Sequence, residues 1–283
     1  MLNHMQFLAL GALITHINIL KVGTYMFTIE LKKNRHLLYP WLLLLFICII
    51  TLADIFLSSK STLGLSFIAQ KMILASNSRG HVAAILLFWV FPLYAFLLFA
   101  ERFIKERTSN AFLVEQIRTP KKKGLLTKCI TNASLLTSFF ALGFLVNSLI
   151  VLLLIPKPTA VFDQRYAEML EVFTSWEKVG TWVYAHTNIT YMIYVLFACI
   201  IFFLMCLLIG LLALVFPNRK VVYSFSMIYW LIWWFIPYDL SMAIQPFTEY
   251  GLSYAIVALL IFTIPTILII YLLIRRYATN DYL

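Results

Sequence analysis

Long stretches without interior charge alternate with short polar connections along this chain. A bilayer core about 30 Å thick is crossed by roughly 20 helical residues. Six apolar runs reach that length: Leu37 to Leu57, Val82 to Ala100, Ile130 to Ile155, Ile189 to Phe216, Val221 to Met242 and Leu252 to Ile274. In lipid only a helix satisfies the backbone of such a run from within. The pattern predicts an all-α polytopic membrane protein with six transmembrane helices. Residues 1–38 read as N-terminal interfacial and elbow helices and residues 37–283 as one transmembrane domain, with no soluble part large enough for its own core.

Composition agrees, because 63% apolar residues, 12% charged residues and a mean hydropathy of +0.91 lie outside the range of water-soluble domains. Charge then sets orientation. Eight of the 22 Lys and Arg residues fall between Glu101 and Lys128, and cytoplasmic loops retain such residues. With the N-terminus inside, sixteen of the 22 are cytoplasmic, and both termini are expected there, in a bacterial cytoplasmic membrane. The net charge of +10 reads as a topology signal that also suits anionic lipid headgroups, not as a nucleic-acid surface.

The first 20 residues carry His4, Gly11, Thr15 and Asn18 on one helical stripe. With no basic residue before Lys21 and no small-residue cleavage pattern, they read as an interfacial helix and not as a signal peptide. A seventh span, which would put the N-terminus outside, is the alternative. Residues 22–38, with Glu30, Lys32, Lys33 and Arg35, form an amphipathic elbow into the first span.

The connection after the second span has its own pattern. Asn110 is an N-cap, Ala111 to Arg118 puts Leu113, Val114 and Ile117 on one face, and Thr119-Pro120 stops the helix. Eight residues make a rod of about 12 Å, too short to cross a membrane and long enough to fill a groove on a partner. An ordinary loop whose Lys121, Lys122 and Lys123 only enforce topology is the other reading.

The order Glu106, Asn110-Ala111, a short apolar helix with a carboxylate, Pro120 and then Lys128 resembles the permeases of ABC-2 type ABC transporters (type V exporter fold). Their pattern runs roughly E-x-x-x-G-T, eight residues, P, then a Lys opening the third span; Asn110 and Ala111 depart from the Gly-Thr. The resemblance extends over nearly the whole chain: elbow, six spans, and a broken re-entrant segment before the last span. It implies that this connection is the coupling helix, with Glu106, Asn110, Phe112, Leu113, Glu115 and Gln116 meeting a separate ATPase. It also implies cytosolic nucleotide-binding subunits and a second permease copy or paralogue as partners. No cofactor is expected on this chain; ATP and Mg belong to the partner ATPase.

The broken segment is Ile236 to Gly251, where Pro237, Pro246 and Gly251 interrupt helix. Asp239 and Glu249 would cost about 2.5 to 3.5 kcal/mol each at mid-membrane, which predicts that the piece reaches outer water or a cavity. Trp230, Trp233, Trp234 and Tyr238 crowd before it. An interfacial aromatic belt is one reading, and a substrate path through Trp233, Trp234, Tyr238 and Asp239 is the other. In the outer loop, Phe162, Tyr166, Met169, Phe173 and Trp176 recur at helical spacing, giving an amphipathic helix on the outer leaflet. Asp54, near the outer end of the first span, is expected to be hydrated or paired.

Chemistry is conspicuous by omission. There is no Gly-Lys dipeptide for a phosphate loop, no G-x-S-x-G and no H-E-x-x-H. The four cysteines lie in spans or at their edges and imply neither a disulfide framework nor a metal site. The expectation is therefore a non-enzymatic transport subunit that exports an amphipathic or hydrophobic cargo (peptide, antimicrobial or lipid-like). A stand-alone immunity or sensor protein against a membrane-active peptide is the alternative.

Overall fold

The structure is a computed structural model that describes residues 27–34, 37–58, 72–74, 82–109, 121–154, 182–183, 185–246 and 251–279. Residues 1–26, the predicted coupling helix over 111–118 and the amphipathic face from Phe162 to Trp176 lie outside them.

All regular structure among the described residues is helical. The described part of α1 is residues 27–34, and α2 is Leu38–Ser58. α3 (Val82–Trp89), α4 (Phe91–Ala95), a π-helical turn (Phe96–Ala100) and α5 (Glu101–Thr108) follow one another almost without interruption. α6 is Lys121–Leu154, α7 Thr187–Val215, α8 Arg219–Ile232, α9 Leu240–Ile244 and α10 Gly251–Thr279. Among the described residues, four helices are long and apolar enough to cross a membrane, Leu38–Leu57, Gly124–Leu154, Thr187–Val215 and Gly251–Tyr277. The other two predicted runs, Val82 to Ala100 and Val221 to Met242, are interrupted and not continuous spans, each for a local reason.

In the first of these, Pro92 has no amide hydrogen to give the carbonyl four residues back, that of Phe88. Val90 leaves helical geometry at φ −96° and ψ 14°. The Phe88 carbonyl instead accepts from the indole Nε1 of Trp230 on α8, 2.8 Å away. The bend is thus held by a donor from another helix, and helical structure runs on eight residues beyond the predicted end, to Thr108. In the second, α8 has 14 residues, about 21 Å of rise, and stops before Pro237. Tyr238 then adopts φ 59°, a left-handed conformation that a large side chain enters at a cost of about 1–2 kcal/mol. Asp239 caps α9 by accepting from the Met242 amide (3.2 Å) and the Ser241 hydroxyl (2.5 Å). Gly251, at φ 70°, opens α10 in a conformation suited to glycine.

The third run also starts earlier than its apolar stretch, because α6 begins at Lys121, directly after Pro120 in the chain. Its 34 residues rise about 51 Å, so one end projects well past a 30 Å core.

α7 is the central helix, packed against α6, α10 and the α4–α5 segment. Two thirds of its most apolar window is buried, against 22% for α10, which puts α10 on the outside of the bundle with Leu260, Ile264, Leu268 and Leu272 exposed. The core is aromatic. Phe91 stacks on Phe202 at 4.3 Å between centroids, with Phe140, Phe88 and Trp230 around them. Close approach is set by two glycines. A Cβ on Gly143 of α6 would lie 2.9 Å from Ile47 of α2, and one on Gly210 of α7 would lie 3.2 Å from Cys129 of α6.

Candidate functional site

Charge gathers at one end of the bundle, where α5 ends, α6 begins, α7 ends, α8 begins and α10 ends. Glu101 of α5 pairs with Arg219 of α8 at 3.0 Å. The Arg107 guanidinium lies over the Tyr277 ring of α10 (5.9 Å), and that of Arg276 over Phe216 just after α7 (4.7 Å). Basic residues that the sequence groups on one side of the membrane therefore come together in space.

At the centre of this end is a desolvated polar cluster. Glu30 of α1 and Asn132 of α6 are fully buried and Asn34 of α1 nearly so. Arg102 of α5 donates from Nη2 to Glu30 Oε2 (2.9 Å) and to Asn132 Oδ1 (3.0 Å), and from Nη1 to Asn34 Oδ1 (3.0 Å). Asn34 Nδ2 donates to Asn132 Oδ1 at 2.9 Å, and Asn132 Nδ2 to Glu30 Oε2 at 3.2 Å. Lys33 Nζ bonds Glu30 Oε1 at 3.0 Å. Inside an apolar bundle such groups are tolerated because nearly every donor meets an acceptor.

Glu106 sits one turn beyond Arg102. It forms an ion pair with Lys128 of α6, whose side chain is 3% exposed, and lies 3.8 Å from both Lys33 Nζ and Arg102 Nε. Lys128 Nζ also rests 5.4 Å from the Phe103 ring centroid. Beyond it α5 ends in a hydroxyl cap: Thr108 Oγ1 donates to the Ile104 carbonyl (3.1 Å) and Ser109 Oγ to that of Glu106 (3.0 Å), filling acceptors that the helix end leaves open. Ser109 is extended, at φ −105° and ψ 157°. The Glu106–Lys128 ion pair thus joins α5 and α6, the helices that flank residues 110–120 in the chain.

Of the sequence-predicted coupling residues, Glu106 is placed in this junction. Asn110, Phe112, Leu113, Glu115 and Gln116 lie outside the described residues. The sequence reading missed Asn34, Arg102 and Asn132 as parts of a site. Asn132, an amide inside an apolar run, was the available signal.

At the opposite end are the predicted path residues Trp233, Trp234, Tyr238 and Asp239. Trp234 is buried against Phe88 and Trp89, whereas Trp233 meets Phe262 of α10. Trp230 is fully buried and Trp234 is buried as well, so these two pack the bundle interior, whereas Trp233 is half-buried and Tyr238 exposed. Tyr238 stacks on Tyr254 at 5.6 Å, and Asp239 is engaged in capping. Asp54 is fully buried. Beside it in the fold, Asn147 Nδ2 donates to the Thr51 carbonyl (2.6 Å) while its Oδ1 accepts from the Ile73 amide (3.1 Å), holding the buried residues 72–74 in place.

No family model and no solved structure matches the chain. It is 28% identical over 185 residues, 65% of its own length and 71% of the other's, to a Bacillus subtilis (strain 168) protein described as "Uncharacterized protein YybM".

Proposed function

We propose that this chain is the membrane-spanning permease subunit of an ATP-driven exporter of ABC-2 type, energised by a separate cytosolic ATPase through the 101–128 connection, whose stretch between α5 and α6 is residues 109–120. Six membrane-crossing segments are then α2, α3–α5, α6, α7, α8–α9 and α10, two of them bent, with the charged end cytoplasmic. A second copy or a paralogous permease completes the pathway. The observation that carries the reading is the Glu106–Lys128 pair. These two positions bracket the connection in the resemblance, and they touch in the fold, where they join the helices on either side of it.

Mechanically this geometry suits a lever. A push on the connection reaches α5 and α6 together, since their inner ends are tied by a nearly dry ion pair. α5 in turn contacts α1, α8 and α10 through Arg102, Glu101 and Arg107. ATP binding in the partner would draw two connections together in a dimer and tilt these helices, opening the pathway outward. An amphipathic or hydrophobic cargo suits a bundle whose described buried side chains are mainly aromatic and aliphatic. Peptide, antimicrobial and lipid-like molecules share that chemistry.

The experiment is affinity purification of the tagged chain from its native membranes, followed by mass spectrometry. A Walker-motif ATPase without spans should accompany it in stoichiometric amount. A preparation that contains no such ATPase, yet protects cells from a membrane-active peptide, would replace the permease reading with stand-alone immunity.

A further inference from the structure

One guanidinium holds three elements. Arg102 carries a planar fork of donors, and the fork is spread over Asn34 and Glu30 of α1 and Asn132 of α6 while its own helix is α5. A lysine ammonium, a point charge on a flexible stem, does not reproduce a planar fork. Within the described part of α1, residues 27–34, the buried polar side chains Glu30 and Asn34 dock against Arg102 and Asn132, which ties the position of α1 to those two residues.

We infer that Arg102 is a positioning residue that locks α1 to the two helices bracketing the 109–120 connection, so that α1 is displaced together with that connection. The inference takes its purpose from the permease reading, but the lock itself does not depend on that reading. Arg102 acts through Glu30, Asn34 and Asn132. Glu106 extends the lock: it lies 3.8 Å from Arg102 Nε and from Lys33 Nζ while pairing with Lys128. The carboxylates of Glu106 on α5 and Glu30 on α1 are thus bridged by the same two cations, Arg102 and Lys33.

The test has two arms. In the first, amide hydrogen exchange is read by mass spectrometry on the isolated full-length chain in phospholipid nanodiscs. Arg102→Met should speed exchange across residues 27–34 at least tenfold, leaving 251–279 at the original rate. Arg102→Lys should fall between the two, and the charge-swapped pair Glu30→Arg with Arg102→Glu should recover most of the protection. Unchanged exchange in 27–34 for Arg102→Met overturns the lock. In the second arm the chain is studied with its co-purified ATPase, nucleotide-free and vanadate-trapped. Exchange in 27–34 and 101–108 should change together in the unaltered chain, and in Arg102→Met only 101–108 should respond. A response of 27–34 that survives Arg102→Met overturns the inference. Absence of any ATPase bears on the permease reading, and the first arm still decides the lock.

Discussion

Glu30 Oε2 lies 2.9 Å from Arg102 Nη2, with the carboxylate side chain fully buried and 72 residues separating the two in the chain. An ion pair in such surroundings is asymmetric in its energetics. Removing one partner strands a buried charge, while removing both leaves a neutral site. Arg102→Met should therefore destabilise the protein by about 3–5 kcal/mol. The double change Arg102→Met with Glu30→Gln should cost clearly less than that single change. Denaturant unfolding in detergent, run as a double-mutant cycle, measures both; additive effects would show that the pair contributes nothing as a pair.

The Trp230–Phe88 hydrogen bond fills the acceptor that Pro92 leaves empty. Trp230→Phe keeps an aromatic ring but removes the donor, and a buried acceptor left unmet costs about 1–3 kcal/mol. A loss of that size in the same unfolding assay is expected. Pro92→Ala supplies a backbone amide for Phe88, so the penalty of Trp230→Phe should shrink in that background.

Gly143 fixes how closely α6 approaches α2. A Cβ there would stand 2.9 Å from Ile47 Cγ2 and 3.4 Å from Thr51 Cγ2. Gly143→Val should cost about 1–3 kcal/mol through overpacking. Ile47→Ala in the same chain should recover part of the loss by vacating the contact.

Topology is open to a direct check. In a chain whose four cysteines are replaced by serine or alanine, a cysteine at Gln116 should resist a membrane-impermeant maleimide in intact cells and react after permeabilisation. A cysteine at Tyr238 should behave in the opposite way.

Helices driven by apolar content alone were legible in the sequence: the predicted start and end of the first span fall within one residue of α2, and those of the fourth within two of α7. The bent segments were less so. Hydropathy counts side chains, whereas the break at Val90 depends on an amide that Pro92 lacks and on a donor 142 residues away. Pro237 and Gly251 did announce the interruption before the last helix, because their backbone preferences are local. The junction was half legible. Glu106 and Lys128 were visible through the resemblance, but nothing local shows that Glu30, Asn34, Arg102 and Asn132 meet, since that depends on tertiary packing of three separated elements. The tryptophans were partly legible for a related reason: a cluster near a predicted interface reads as a belt, and only packing separates Trp230 and Trp234, which are inside, from Trp233, which is half-buried.

The central claim, that the 109–120 connection is driven by a separate ATPase, is tested most directly by photo-crosslinking in living cells from a benzophenone amino acid placed at Leu113. The account predicts an adduct with a cytosolic Walker-motif ATPase, abolished when Phe112 is changed to aspartate. Adducts that contain only lipid or extracellular protein would contradict it.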